Sequence, residues 1–318
     1  MYFSTRWPSI LLHQNVRDLA WMIFSPSLLD HNSGLETMHE SFLGISKNDV
    51  SAFITHLKKL NSSPEDLTNF LQIKQNIKQN KRLGNYFEQL IQYWLSCTSS
   101  CHKLETHVVI QRQQETLGEF DFLFFSEQLK KTIHWEAAVK FYLLHGNKDD
   151  FASYIGPNPV DTLENKILTL KKQLTLSQRI GRRFLESEHL LPIESACLVK
   201  GYIFYPLLAD GTLVPTPTSG IAAKHLYGWW DRVDNEAWKK RCRDQNSGTR
   251  LLPLSRLAWL APHLYSENDP YFNQNSFTIE AVPQLQTPCM LASFVLIDEV
   301  WQEVERGMLV SSNWPQTK

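Results

Sequence analysis

The chain of 318 residues carries 32 Lys and Arg against 33 Asp and Glu, a formal net charge of -1, with 42% hydrophobic and 12% aromatic residues. Such a composition excludes a disordered chain, and the near-neutral balance excludes a protein that coats nucleic acid through bulk basicity, so any such contact needs a local patch. Five cysteines without a framework spacing, an opening MYFSTRWPSILLHQ without the apolar core of a signal peptide, and no run of about 18 apolar residues lead to the expectation of a soluble cytoplasmic protein with no membrane contact.

Residues 8–80 read as helical. Residues 16–29 offer an apolar stripe of Val16, Leu19, Ala20 and Ile23, and Ser46 or Asn48 is placed to cap a helix over 49–60. A turn follows at 61–66, with Pro64 in the first turn of the next helix. Residues 72–82 are polar and basic. An amphipathic helix over 84–96 sets Phe87, Leu90, Ile91, Trp94 and Leu95 on one side. Residues 97–103 read as a linker and 105–112 as a strand.

Residues 118–142 read as two strands joined by a polar turn. Phe120, Phe122 and Phe124 alternate with Glu119, Asp121 and Leu123, and Ile133, Trp135, Ala137, Val139 and Phe141 alternate with His134, Glu136, Ala138, Lys140 and Tyr142. Acids set among so many aromatics are costly unless something cationic meets them. Residues 146–159 read as a loop. Asp161 is placed to cap a helix, with Glu164 at the capping-box position and Leu163, Ile167, Leu170 and Leu174 inward. A second helix is expected over 177–188 and a strand over 196–205. After Pro206 the composition changes, and Pro215, Pro217 and Gly220 mark a boundary or long loop. The tail predicts a strand at 289–297 and a helix at 298–306. The expected organisation is α/β: a helical region over 1–80, a core over 81–206, and a mixed α+β accessory region over 207–318.

The helix GNYFE (84–88), the strand GEFD (118–121), the strand HWE (134–136) and the helix KQL (172–174) resemble the PD-(D/E)XK nuclease superfamily in content, order and spacing. The resemblance implies a restriction-endonuclease-like core of helix, three strands, helix and strand. It implies Glu88 as the helix acid, Asp121 and Glu136 as the motif carboxylates and Gln173 as the helix glutamine. The stretches VRDLAW (16–21), AVKFYL (138–143), GPN (156–158), GYIFYP (201–206), GWW (228–230) and WLAP (259–262) resemble a bacterial domain-of-unknown-function family assigned to that superfamily. That second resemblance covers nearly the whole chain and adds little about substrate.

The chemistry follows from the residue types. Asp121 and Glu136 can share one Mg²⁺ (or Mn²⁺), with the Ala137 carbonyl as a further ligand and Glu88 at the cation or holding a water beside it. Such a cation would polarise a phosphodiester. Glu119 would support Asp121 from behind. The superfamily lysine is absent: its position is Ala138. Lys140, the next residue on that face, and Lys166, which shares a helix face with Gln173, are the alternatives. Lys166, Lys171, Lys172, Arg179, Arg182 and Arg183 form the best phosphate-binding row, with 239–243 and 74–82 weaker. Tyr86, Trp135, Tyr142, Trp229 and Trp230 are candidates for base stacking. Cys97, Cys101 and His102 lack a second ligand pair at zinc spacing, and His134 is a general-base candidate. The expected function is metal-dependent hydrolysis of phosphodiester bonds in DNA. The alternatives are a nuclease-fold nucleic-acid-binding or adaptor module without chemistry, and a scaffold without a nucleic-acid role. A homo-oligomer stays open.

Overall fold

A computed structural model describes residues 11–37, 43–78, 82–112, 115–181, 193–244 and 248–316; the side chains of 74–78, Arg112 and Asp244 lie outside that description. Four helices come first: α1 (Gln14–Phe24), α2 (Lys47–Ser62), α3 (Glu65–Lys78) and α4 (Leu83–Ser96). As expected, the Ser46 hydroxyl caps α2, accepting from the Asp49 N–H at 3.0 Å. The predicted inner faces of α1 and α4 are buried together with Phe53 and Leu57 of α2 and with Phe122, Phe124 and Trp135 of the sheet. Trp94 and Trp135 meet with ring centroids 6.0 Å apart.

The strands are β1 (Cys101–Arg112), β2 (Glu115–Ser126), β3 (Lys131–Leu144), β4 (Tyr154–Ile155), β5 (Ile193–Pro206), β6 (Leu226–Arg232), β7 (Arg250–Leu254), β8 (Leu264–Ser266), β9 (Cys289–Ile297) and β10 (Val300–Val310). They form one ten-stranded mixed sheet in the order β1-β2-β3-β5-β6-β10-β9-β7, with β4 on β3 and β8 on β10. β1, β2 and β3 are an antiparallel meander. β3, β5, β6 and β10 run parallel to one another, and β9 and β7 add antiparallel strands at the far side. The strands after Pro206 thus continue the sheet that the preceding strands begin.

β3 and β5 read as near-continuous apolar runs because both faces are covered. Ile133, Trp135, Ala137 and Phe141 face the helical layer. Ala138, Tyr142 and Leu144 face α5 (Leu163–Gly181), whose Leu163, Ile167, Leu170 and Leu174 are buried against them and against Cys197, Val199 and Ile203. Gly201 permits the close approach of β5 to β3: its φ is 137°, and a Cβ there would lie 1.7 Å from the Lys140 carbonyl oxygen.

Two short helices, α6 (Ala237–Asp244) and α7 (Pro270–Asn275), complete the described α-helices. The C-terminal strands are tied to the first helix by a buried polar clamp. Asp18 accepts from the Tyr86 hydroxyl at 2.9 Å and from the Ala261 N–H at 3.0 Å. Arg306 donates to the carbonyls of Trp259, Leu260 and Ala261 and pairs with Glu303. The VRDLAW and WLAP stretches therefore meet in space.

Several expectations are corrected. β1 begins at Cys101, inside the expected linker, and the expected loop after β3 contains β4. Asp161 does not cap α5; the Thr162 hydroxyl accepts from the Asn165 N–H at 3.3 Å, and Asp161 turns to Lys140. α5 continues through Ser177 to Gly181 instead of breaking there, and 182–192 lie outside the described residues. The helix expected at 298–306 is strand β10. Asp298 and Glu299 are both left-handed, at φ 49° and 63°, and close a hairpin in which Val300 pairs with Ile297; that turn and the pairing with β9 and β8 override local helical spacing. Among the described residues no helix is long and apolar enough to cross a membrane.

Candidate active site

β2 and β3 are paired from Ser126–Lys131 only as far as Phe122–Trp135. Beyond that point β2 stays with β1, and β3 continues beside β5. Asp121 is the first residue past the last β2–β3 pair, in the mouth of this fork. Its Oδ2 accepts from the Ala137 N–H at 2.8 Å, so a carboxylate fills the place of a strand bond. Glu136 stands on β3 just before that amide. Its Oε1 lies 2.8 Å from His134 Nε2, and both side chains are fully buried. The Phe120 ring covers the imidazole at 4.1 Å between centroids.

Burial pushes the Asp121 carboxyl up to about 6, and the Glu136 charge adds to the effect. Burial likewise pushes Glu136 up to about 7, opposed by the Lys166 charge and by hydrogen bonding with Asp121. The same burial lowers His134 to about 4, opposed by Asp121. Near neutral pH the imidazole is therefore uncharged, and one proton is shared between His134 Nε2 and Glu136 Oε1. Glu136 Oε2 and His134 Nδ1 are buried without a hydrogen-bond partner, which leaves the carboxyl pair short of positive charge and of donors.

The profile of a domain-of-unknown-function family, DUF1853, matches residues 17–310. The chain belongs to the DUF1853 family. No curated protein and no solved structure matches it. The DUF1853 match runs from the buried Arg17 of α1 to Val310 at the end of β10, so it takes in the whole sheet and the polar clamp.

In this DUF1853 chain the other candidates fall into three groups. The first surrounds the fork. Glu88 of α4 lies 3.5 Å from His107 Nε2, and His107 Nδ1 lies 3.0 Å from Glu119 Oε1. Gln173 of α5 donates to the Glu119 carbonyl at 3.3 Å. Lys166 acts electrostatically on both Asp121 and Glu136. The second group is held elsewhere. Lys140 donates to Asp161 at 2.6 Å, and the Tyr142 hydroxyl donates to the same carboxylate at 3.3 Å, so Lys140 is engaged away from the carboxyl pair. Tyr86, Trp135, Tyr142, Trp229 and Trp230 are all buried, and none presents a face for stacking. The third group is cationic. Lys171, Lys172 and Arg179 are exposed on α5, whereas Arg182 and Arg183 lie outside the described residues. On α6, Lys239 pairs with Glu236 and Arg241 with Glu305.

Among the described residues no three His, Cys, Asp or Glu side chains gather as a ligand cluster. A cation at the fork would rest on Asp121 and Glu136, with backbone, water and substrate oxygens completing its shell. Mg²⁺ accepts such a set, and the partnerless Glu136 Oε2 is a donor atom of the right kind. The residue that sequence reasoning missed is His107. Nothing in the spacing of HVVIQR marks it, because its position depends on a backbone distortion.

Proposed function

We propose that this DUF1853 protein hydrolyses phosphodiester bonds in nucleic acid, DNA before RNA, in the cytoplasm, with Mg²⁺ or Mn²⁺ held by Asp121 and Glu136. The observation that carries the reading is the carboxyl pair in the fork, Glu136 fully and Asp121 partly buried, each member resisting ionisation and Glu136 Oε2 lacking a hydrogen-bond partner. The chain order of α4, the β1–β2–β3 meander, α5 and β5 supports a PD-(D/E)XK relationship. A bound divalent cation would polarise the phosphate and make an adjacent water more acidic. The protein's own groups have separate tasks. The Ala137 N–H fixes Asp121, and His134 fixes Glu136. Lys166 offsets negative charge at the pair, the task that the superfamily gives to a lysine at the position of Ala138. Exposed Lys171, Lys172 and Arg179 offer phosphate contacts along α5.

The test is cleavage of single-stranded DNA, duplex DNA and RNA by the full chain with Mg²⁺ or Mn²⁺, beside Asp121→Asn and Glu136→Gln. Cleavage that disappears in both variants is expected. No cleavage of any substrate by wild type, or cleavage that survives both substitutions, would refute the reading.

A second reading is favoured by Ala138 and by the engagement of Lys140 with Asp161: a nucleic-acid-binding module of the same architecture without chemistry. It predicts salt-sensitive binding through α5 that needs no divalent cation.

A further inference from the structure

His107 stands in the body of β1 with φ at 56°. A left-handed residue with a Cβ inside a strand is strained, and such strain persists where surrounding contacts hold it, above all at functional sites. The β1–β2 ladder pairs Thr106 with Phe122 and Val108 with Phe120, so His107 lies across from Asp121. Regular alternation would send its side chain to the face opposite Thr106. Instead His107 and Thr106 line the same pocket, together with Asn85, Glu88 and Gln92 of α4. The distortion is what lets one imidazole reach Glu88 with Nε2 and Glu119 with Nδ1. Glu119 is held in turn through its carbonyl by Gln173, and its charge bears on Glu136. A polar belt of Glu88, His107, Glu119 and Gln173 thus runs from α4 across the two outer strands to α5, beside the carboxyl pair.

We propose that His107 is a positioning residue: it ties the Glu88 carboxylate of α4 to the Glu119 carboxylate of β2, two residues before Asp121, and so fixes the flank of the fork, and the left-handed turn in β1 exists to put it there. The proposal rests on the reading of Asp121 and Glu136 as a cation site. An imidazole that only filled space would have no use for carboxylates at both nitrogens, nor for a backbone conformation that glycine adopts more easily. Residues that orient a metal site from outside change its affinity about tenfold to a hundredfold when lost.

The experiment is Mn²⁺ binding by calorimetry on the full chain, for wild type, His107→Gly, His107→Asn and Asp121→Asn, with a thermal melt of each. Glycine suits the left-handed backbone, so His107→Gly is expected to melt close to wild type. It is expected to bind Mn²⁺ about tenfold more weakly, and free imidazole, which can enter the open pocket, restores the affinity. His107→Asn, which tolerates that backbone and keeps one polar contact, falls between. Wild-type affinity in His107→Gly overturns the proposal. So does a loss of affinity that imidazole does not repair, since that is the signature of a structural role. Binding lost in Asp121→Asn but intact in His107→Gly sinks the inference alone. Wild type that binds no Mn²⁺, or Asp121→Asn that binds as well as wild type, sinks the cation site and the inference with it.

Discussion

Removing the charge from the carboxyl pair is expected to stabilise the cation-free fold at alkaline pH while abolishing its proposed chemistry. Asp121 is moved from an ordinary 3.8 to about 6 and Glu136 from 4.5 to about 7. At 1.36 kcal/mol per pKa unit, each ionised carboxylate costs the fold about 3 kcal/mol. Asp121 is only partly buried, so its share is the smaller. The sign follows from proton binding. Both acids hold their proton more tightly in the fold than in the unfolded chain, so the cost is absent below about pH 4, grows between about pH 4 and 7, and is complete above that. Asp121→Asn keeps an oxygen to accept from the Ala137 N–H, and Glu136→Gln keeps one for His134. Each substitution also relieves repulsion on its neighbour, so the two gains overlap. The assay is urea unfolding at about pH 5 and about pH 8, read as midpoint shifts at constant slope. A gain of about 2–3 kcal/mol at the higher pH and about half of that or less at the lower is expected, large against the ~5–15 kcal/mol stability of a typical domain. Mg²⁺ should raise the wild-type midpoint at the higher pH and leave both variants where they are. Equal gains at both pH values, or a loss at the higher one, would refute the reasoning.

Three other changes separate parts of the structure. Arg306→Met leaves Glu303 buried without its partner and strips a donor from three successive carbonyls; a loss of about 3–5 kcal/mol is expected in urea unfolding, with part of it recovered when Glu303→Leu is added. Gly201→Ala places a methyl 1.7 Å from the Lys140 carbonyl oxygen, and a loss of about 4 kcal/mol or more, or no soluble protein, is expected; a wild-type melt would show that β3 and β5 have room to part. In the nuclease reading Lys166→Ala lowers cleavage by about a hundredfold or more, as for other groups that stabilise transition-state charge, whereas Lys140→Ala acts on stability through Asp161. A larger rate loss in Lys140→Ala than in Lys166→Ala would reverse the assignment of the lysine.

Parts of this architecture were legible because they obey short-range rules. The inner faces of α1 and α4 follow helical spacing, Ser46 caps by a local contact, and alternating Phe and acid residues mark β2. The misreadings share a cause: each depends on a partner distant in sequence. Asp161 looks like a helix cap until Lys140 arrives from β3. Residues 298–306 have helical spacing until β9 pairs along one edge and β8 along the other. In the candidate site, the side chains of Asp121 and Glu136 could be placed on one face by period-two counting alone. Their setting in a fork, with the Ala137 N–H turned to the Asp121 carboxylate, could not, because it reflects where β2 and β3 stop pairing. His107 was invisible for the same reason: only the three-dimensional neighbours make a left-handed residue worthwhile in a strand.

In the nuclease reading, the absence of a lysine at Ala138 also has a structural cause. Ala138 faces α5 and lies beside Val199 of the parallel strand, buried among Tyr142, Ile167, Leu170 and Cys197. A lysine there would drive an ammonium into an apolar layer that is already filled, or displace α5 from the sheet. The helix that closes this layer supplies a cation instead. Lys166, one residue before the buried Ile167, is only partly buried and acts on both carboxyls. In the nuclease reading the charge has therefore moved from the strand to the helix that covers it, and packing at Ala138 and charge at Lys166 are two sides of one exchange. Ala138→Lys alone would then destabilise the fold without adding activity. Ala138→Lys combined with Lys166→Ala would fail to restore cleavage unless Ile167 or Leu170 were also reduced in size to make room for the stem.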